Sequence, residues 1–474
     1  MTLPAKFVER VLRDLGGTEG AALCAALDAE PPVSVRLNPA KTGADTLPAG
    51  PDAGLPVPEA AGLPALAIAG RVPWSRDGRY LAVRPSFTLD PDFHAGAYYV
   101  QEASSQFVGH LLAAVRTEGA RILDLCAAPG GKTTLYASLA GPDGLVVANE
   151  IDRRRASVLA DNVRKWGTGN VAVTTCEPRA LGDFEAWFDV VAVDAPCSGE
   201  GMFRKDPDAR GEWSEGNVKQ CAARQDEILR EAWRALKPGG TLVYSTCTFN
   251  RDEDEGALER MAAWAGDEIA ESEETAVEDA WGIVCGRVGA FRTFRFYPHR
   301  TCGEGFFAAV ARKSFDAGGR ARTPKARRTV FAAADRKTSA ELARWVREPD
   351  RMCFAQVADT FYAWYAAQAD AVRTLSEALP VIYSGVALGQ VFKGVLKPDP
   401  ALAFFDGLNR GALHAAELDD EETLRFLRRQ DIAAGGLAEG MNLVCSRGRA
   451  LGFAKRIGAR VNNLYPNSLR IIKQ

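Results

Sequence analysis

Residues 121–134, R-I-L-D-L-C-A-A-P-G-G-K-T-T, constrain the fold more than any other part of the chain. Four residues of strand character run into a turn where Pro129, Gly130 and Gly131 meet Lys132, and helical spacing resumes over 133–139. A strand, a glycine-rich turn and a helix make the first half of a βαβ unit. Such a turn lets the backbone approach a ligand at the carboxyl end of a parallel sheet. The pattern is not G-x-G-x-x-G, so the dinucleotide fingerprint fails. Glu150 stands 20 residues past Gly130, at the end of the strand-like run 144–150. An acid there can accept both hydroxyls of a ribose, which predicts a cofactor carrying an adenosine. The turn alone does not say which one.

Strand and helix patterns then alternate, as a doubly wound α/β sheet requires. Residues 151–166 have helical spacing, and 170–174 have strand character and end near Cys176 and Glu177. The run 188–193 is nearly continuous in apolar residues, as expected of a strand buried on both faces. It leads into D-A-P-C-S-G-E-G at 194–201. A helix over 218–236, a turn at 237–240 and a strand over 241–245 bring the chain to T-C-T at 246–248. Residues 291–296 and 306–311 are expected to close the sheet with antiparallel strands.

A chain of 474 residues is too long for one core, so other units flank this sheet. Residues 1–100 read as an N-terminal extension: a helix over 7–15, a loop rich in Pro, Gly and Ala over 41–65, and short strands at 80–83 and 97–100. A helix opening at Gln101 and running toward Val115 begins the core, 101–312. The basic stretch 312–328 places a linker at 313–330. In the C-terminal region, 331–474, residues 381–386 and 391–396 look like strands and 421–429 like a helix. The last 34 residues hold seven Lys or Arg, with Tyr465 among them, and no acid. The acidic stretch 252–279 is expected on the surface, away from any phosphate backbone. A net charge of −3 excludes a uniformly basic coat but leaves room for local basic patches. Ten cysteines without a C-x-x-C pair, and four scattered histidines, argue against a metal site. With no charged-then-apolar leader and no apolar run near ~20 residues, the expectation is a cytosolic chain with reduced thiols and no membrane contact.

Four strand ends converge on one edge of such a sheet: residues 126–132, Glu150, residues 194–197, and Thr246 with Cys247. Topology makes that edge the ligand site. Two cysteines just past two separate strands are the unusual feature. A lone cysteine is usually a small buried filler. Two of them at strand ends beside a cofactor loop point to chemistry instead.

The segments C-A-A-P-G-G-K, N-E-x-D-x-x-R, D-A-P-C-S-G-E-G and Y-S-T-C-T resemble the signature motifs of the RNA 5-methylcytosine methyltransferases, the NOL1/NOP2/Sun family. The preceding Q-E-A-S-S and following M-F-R-K-D-P-D-A are similar to its bacterial 16S ribosomal RNA branch, of RsmF type. The match is close over roughly 85–311, and G-F-A-K-R and N-N-L-Y-P-N-S-L-R near the end resemble that branch's PUA-like module. The resemblance implies a Rossmann-like S-adenosylmethionine-dependent core, an N-terminal extension that positions substrate, and a C-terminal α+β RNA-binding region ending in a PUA-like module over about 380–474.

Cytosine C5 is a poor nucleophile. A thiolate adding to C6 makes C5 behave like an enamine carbon, able to take a methyl from a sulfonium. By resemblance Cys247 is the attacking thiol. Cys197 assists release, as the base that removes the C5 proton or the group that positions that base. Asp194 sits against the base edge and the cofactor's methionine end, helping to protonate N3. A free cysteine is only a few per cent thiolate at neutral pH, so something must activate it, with Lys205 or a strand-end dipole as candidates. For S-adenosylmethionine the resemblance implies the loop Cys126, Ala127, Ala128, Pro129, Gly130, Gly131 and Lys132, with Glu150 on the ribose and Arg155 nearby. Glu177 stands where the family usually has an Asp against the adenine.

The target base must be unpaired or flipped, and the basic tail and the 312–328 segment are expected to hold phosphates. The implied substrate is 16S ribosomal RNA, as naked RNA or in the small subunit, met by a monomer. A transfer RNA enzyme would show the same motifs. A nicotinamide dehydrogenase lacks the glycine fingerprint and gives no reason for two thiols. A DNA cytosine-5 methyltransferase would make Cys197 the nucleophile, and a non-catalytic ribosome-assembly binder would need neither thiol.

Overall fold

The computed structural model describes residues 2–43 and 63–472, so most of the loop expected over 41–65 lies outside the described residues. The centre is a ten-stranded sheet. In order across it run Val284–Val288, Phe291–Phe296, Phe306–Lys313, Leu236–Thr246, Phe188–Asp194, Arg121–Asp124, Leu145–Asn149, Val171–Thr174 and Val381–Ser384, with Ile269–Ala270 paired to Phe306–Lys313. The five strands from Leu236–Thr246 to Val171–Thr174 are mutually parallel. Chain order reverses between Arg121–Asp124 and Phe188–Asp194, which opens a crevice at their carboxyl ends.

Alternation along each strand explains the layers. Ile122, Val146, Val190 and Val243 face Phe107, Leu111, Leu135, Leu159 and Val163 on one side. Leu123, Val147, Val191 and Leu242 face Ile228, Leu229, Trp233, Leu258 and Met261 on the other. Burial on both faces is why these strands are apolar throughout, and it supplies most of the core's hydrophobic stabilisation.

Several elements differ from the sequence reading for identifiable reasons. Residues 237–240 do not end the strand. Phe188 pairs with Leu236 and Val190 with Thr241, so four residues are looped out within one continuous strand. Val381–Ser384, expected in the C-terminal region, pairs antiparallel with Val171–Thr174 and completes the central sheet, and helix Ala369–Ala378 packs Val372 and Leu375 under it. The acidic stretch is not all surface, since Glu253 and Asp254 are fully buried. Within the basic linker, Lys313 donates to the Trp233 carbonyl at 2.8 Å and Arg328 to that of Leu379 at 2.9 Å. A second N-terminal helix, Gly17–Ala26, went unread because its composition is mostly Ala and Gly with little amphipathic contrast.

The flanking units close around the sheet. Phe7, Val11 and Leu23 of the helices Ala5–Leu15 and Gly17–Ala26 pack on Phe203, Trp213 and Phe249, beside the cysteine loops. A four-stranded antiparallel sheet, Ile68–Arg71, Gly78–Leu81, Val33–Leu37 and Tyr98–Tyr99, lies against the glycine-rich turn. The C-terminal region holds a five-stranded and a four-stranded sheet with a shared core. Two cations of the basic tail are spent on docking it. Arg449 Nη1 lies 2.8 Å and Arg447 Nη1 3.1 Å from buried Asp92, while Tyr465 is wholly buried and its hydroxyl lies 3.3 Å from His94 Nδ1. Among the tail's described cations, Lys455, Arg460 and Arg470 remain exposed.

Replacing Asp92 with Ala leaves two partly buried guanidiniums without this carboxylate, at an expected cost of about 3 kcal/mol. Calorimetry should show the C-terminal sheets of Asp92→Ala unfolding earlier than in the wild type. An unchanged transition would mean that docking rests on the apolar contacts around Ala95 and Phe426.

Candidate active site

The glycine-rich turn leaves the strand Arg121–Asp124 and is stitched to its neighbours, Leu125 N–H donating to Ala192 O at 3.0 Å and Ala127 N–H to Asn149 O at 2.8 Å. Gly130 has φ +111°, a conformation that favours glycine, and a Cβ there would lie 3.0 Å from the Leu159 side chain, so space is tight as well. The outer carbonyls are held by protein donors: Ala128 O by Arg155 at 3.1 Å, and Pro129 O by Asn162 at 2.8 Å and Tyr99 at 3.2 Å. Helix Gly131–Ala140 then starts at the crevice, where its first N–H groups lack intrahelical acceptors. Ala127 and Ala128 are buried and Cys126 is half-buried. Burial first, then the charges of Asp124 and Asp194, hold the Cys126 thiol far above its ordinary range, so it stays neutral.

Glu150 is 4% exposed; it accepts from Asp152 N–H at 3.0 Å and pairs with Arg155 at 3.3 Å. Exposed Glu177 lies three residues past the strand Val171–Thr174, at the N-cap of the short helix Pro178–Gly182. Lys132 reaches across to Asp194 at 2.8 Å, and the other oxygen of Asp194 accepts from Ser245 Oγ at 2.8 Å. Burial acts to lower the Lys132 ammonium. The charge and hydrogen bond of Asp194 more than offset it, Asp124 and Cys247 add to them, and the group is held above its ordinary range.

The two thiols meet. Parallel pairing sets Asp194 opposite Ser245, and the loops that follow bring Cys197 Sγ to 3.2 Å from Cys247 Sγ, both as free cysteines. Beneath them lies a buried polar network. Glu253 accepts from Ser198 N–H at 2.9 Å, Gln225 at 3.0 Å and Asn250 at 2.7 Å. Glu200 accepts from Trp213 at 2.9 Å, Thr248 at 2.8 Å and Phe249 N–H at 2.9 Å. Because unmade bonds to buried charges are costly, the network fixes both loops. The hydrogen bond to Cys247, then burial, then the charges of Cys247 and Glu253 push the Cys197 thiol well above its ordinary range.

Lys205 is exposed and lies beyond the loop that carries Cys197, while Lys132 stands in the field of Cys247. Sequence reasoning missed Glu253 and Asn250, which lie six and three residues past Cys247, Glu253 inside a stretch read as surface acid. It missed Arg36 as well. This buried guanidinium comes from the N-terminal sheet and donates to Gln101 Oε1 at 2.8 Å, Gly131 O at 3.1 Å and Thr134 Oγ1 at 2.6 Å, lying 4.4 Å from the Trp166 ring. Only the fold brings it there. Among the described residues no cluster of side chains could hold a metal ion, and no helix is long and apolar enough to cross a membrane.

Comparison with known proteins adds to this geometry. Three family profiles match in sequence order: the N-terminal domain of 16S rRNA methyltransferase RsmF over 3–103, 16S rRNA methyltransferase RsmB/F over 111–312, and the methyltransferase RsmF PUA domain over 414–471. The chain is 32% identical over 419 residues to ribosomal RNA small subunit methyltransferase F of Shewanella loihica, covering 84% of this chain and 83% of that one. It is 31% identical over 425 residues to the protein of the same name in Erwinia tasmaniensis, covering 84% of each. A solved structure, a methyltransferase homolog protein from Pyrococcus horikoshii, is similar at 27% identity and TM-score 0.53 over 65% of this chain and 94% of that one.

Two predictions follow from the turn and its supports. Arg36→Met removes three hydrogen bonds from the turn and its neighbours, and should weaken S-adenosylmethionine binding about tenfold by calorimetry. Unchanged affinity would mean that the turn keeps its shape without the N-terminal sheet. Burial pushes the Asp124 carboxyl from 3.8 up to about 7, against a hydrogen bond from Thr133. A raised carboxyl favours the protonated native state, so its contribution is full below about pH 4 and is lost as pH rises to 7, on the order of 4 kcal/mol in all. Asp124→Asn should therefore gain stability over the wild type as pH goes from 5 to 8 in denaturant titrations. Parallel curves would contradict this.

Proposed function

The chain belongs to the ribosomal RNA small subunit methyltransferase F family, and from that premise we propose that it methylates C5 of an unpaired cytosine in 16S ribosomal RNA through a covalent bond from Cys247 to C6. S-adenosylmethionine is the cofactor and supplies an electrophilic methyl on a sulfonium. The residues that would hold it are Cys126 to Lys132, Glu150 with Arg155, Asp194, and Glu177 at the adenine end. They suit such a group: the turn favours glycine at Gly130, Glu150 keeps carboxylate oxygens at the crevice, and half-buried Asp194 faces Lys132. Exposed Ile151, next to Glu150, offers an apolar surface beside them.

One observation carries the division of labour. The thiols are 3.2 Å apart but their surroundings are of opposite sign, with Lys132 in the field of Cys247 and Glu253 bonded under the Cys197 loop. The positive charge beside Cys247 suits a sulfur that attacks, and the carboxylate opposes negative charge at Cys197. Cys247 therefore attacks C6, and its electron pair becomes the C6–S bond. Asp194, fixed by Lys132 and Ser245, faces the base edge and supports protonation at N3. Addition would move the C5=C6 pair to C4=C5 and the C4=N3 pair onto N3; the enamine pair at C5 would then form the bond to the methyl, the sulfonium leaving as a neutral thioether and N3 giving up its proton. Cys197 then assists removal of the C5 proton, as the base or as the group that positions it, after which the C5=C6 bond re-forms and Cys247 leaves as its thiolate. The C-terminal PUA-like module and the N-terminal sheet hold the RNA, within or before the small subunit, and the protein works as a monomer in the cytosol.

A denaturing gel after incubation with small subunits and S-adenosylmethionine tests the roles. Cys197→Ala is expected to trap a nuclease-sensitive covalent RNA adduct. Cys247→Ala is expected to lose both crosslink and methylation, at least about a thousandfold in rate. Methylation surviving in Cys247→Ala would make Cys197 the nucleophile. A wild type that binds RNA but modifies no cytosine C5 would leave a scaffold.

A further inference from the structure

A second concavity lies on the outer side of the glycine-rich turn, away from the thiols, between the N-terminal sheet and the helix Arg153–Trp166. It has a volume of about 400 Å³. It exists because Gly96 meets the end of that helix too closely for any side chain, a Cβ there falling 2.0 Å from Lys165 O. Its walls are aromatic (Phe87, Phe93, Tyr99 and Trp166), and two cations, Arg84 and Lys165, stand over them. Lys165 Nζ lies 4.3 Å from the Phe93 centroid and Arg84 Cζ 5.5 Å from that of Phe87. No acid lines the space, and neither cation has an ion pair or acceptor among the described residues. The wall is shared with the cofactor turn, because Tyr99 and Asn162 both donate to Pro129 O.

Unpaired cations beside aromatic faces suit a ligand that is both flat and anionic. Resting on the reading of this chain as an RNA methyltransferase, we infer that the pocket formed by Arg84, Phe87, Phe93, Tyr99 and Lys165 takes an unpaired nucleotide of the RNA substrate, distinct from the target cytosine. The base lies against the rings, and the phosphates meet Arg84 and Lys165. Burial lowers the Lys165 ammonium to about 8, so it is still mostly charged at neutral pH, and a phosphate would strengthen that charge. The space suits a nucleotide, being within the usual size of ligand pockets. Tyr99 and Asn162 then link RNA held here to the turn on the far side.

The test uses the full chain and a 16S ribosomal RNA fragment. Arg84→Ala and Lys165→Met should each weaken RNA binding about fivefold to tenfold. Each should also reduce the slope of log affinity against log salt by about 1, with S-adenosylmethionine affinity unchanged. Phe87→Leu should weaken binding without changing the slope. Ultraviolet irradiation of the wild-type complex should crosslink RNA to the peptide spanning 84–100. RNA affinity and salt slope equal to wild type in both charge variants would overturn the pocket's role while leaving the methylation reading intact. Cytidine monophosphate filling the pocket at micromolar concentration without displacing RNA would also overturn it, by assigning the site to a free nucleotide. A wild type that binds no RNA would overturn both readings together.

Discussion

The contact between Cys197 and Cys247 is set by sheet register. Asp194 and Ser245 are directly paired, so the two loops leave adjacent parallel strands at the same level and must occupy the same space. A one-residue slip would turn every side chain of one strand to the other face and separate the thiols. Continuous apolar burial prevents that slip, since Val191, Val193, Leu242 and Tyr244 all lie in one core. The reactive pair thus depends on packing that carries no chemistry itself.

Below that contact, the chain buries acids where packing alone would favour apolar residues. Glu200, Glu253 and Asp254 are each within 1% of full burial; Glu200 and Glu253 accept from donors of several segments, and Asp254 accepts from Thr246 and pairs with Arg295. Such a network specifies one arrangement of the loops, because any other leaves a buried charge unpaired. It also sets the sign of the local field, negative under Cys197, while Lys132 places positive charge near Cys247. Two chemically identical thiols become different by position.

The same logic extends outward. The N-terminal sheet delivers Arg36 to the cofactor turn, and Asp92 takes two guanidiniums from the C-terminal sheet, so the flanking units are fastened to the core by buried charge. Val381–Ser384 goes further and supplies a strand of the central sheet. Cations that look in sequence like a phosphate-binding tail are partly used in this way. Among the described residues, other cations without an ion pair, Arg84 and Lys165, lie outside the tail.

The parallel core was legible because strands buried on both faces read as apolar runs, and because glycine and proline mark the turns between them. The motifs at 126–132, 194–201 and 244–248 identified the strand ends that meet, since topology alone brings such ends together. The role expected of Lys205 was not legible, because proximity in sequence to Cys197 says nothing about the direction of an exposed side chain. Glu253 was hidden in an acidic stretch because burial of a charge depends on donors from distant segments. Sequence by itself determined the core sheet, the turn that favours glycine and the two thiols at its edge, all consequences of local periodicity and backbone freedom. Only the tertiary structure decided which cation faces which thiol, which acids lie beneath them and which arginines serve docking, because those pairings join residues dozens to hundreds of positions apart.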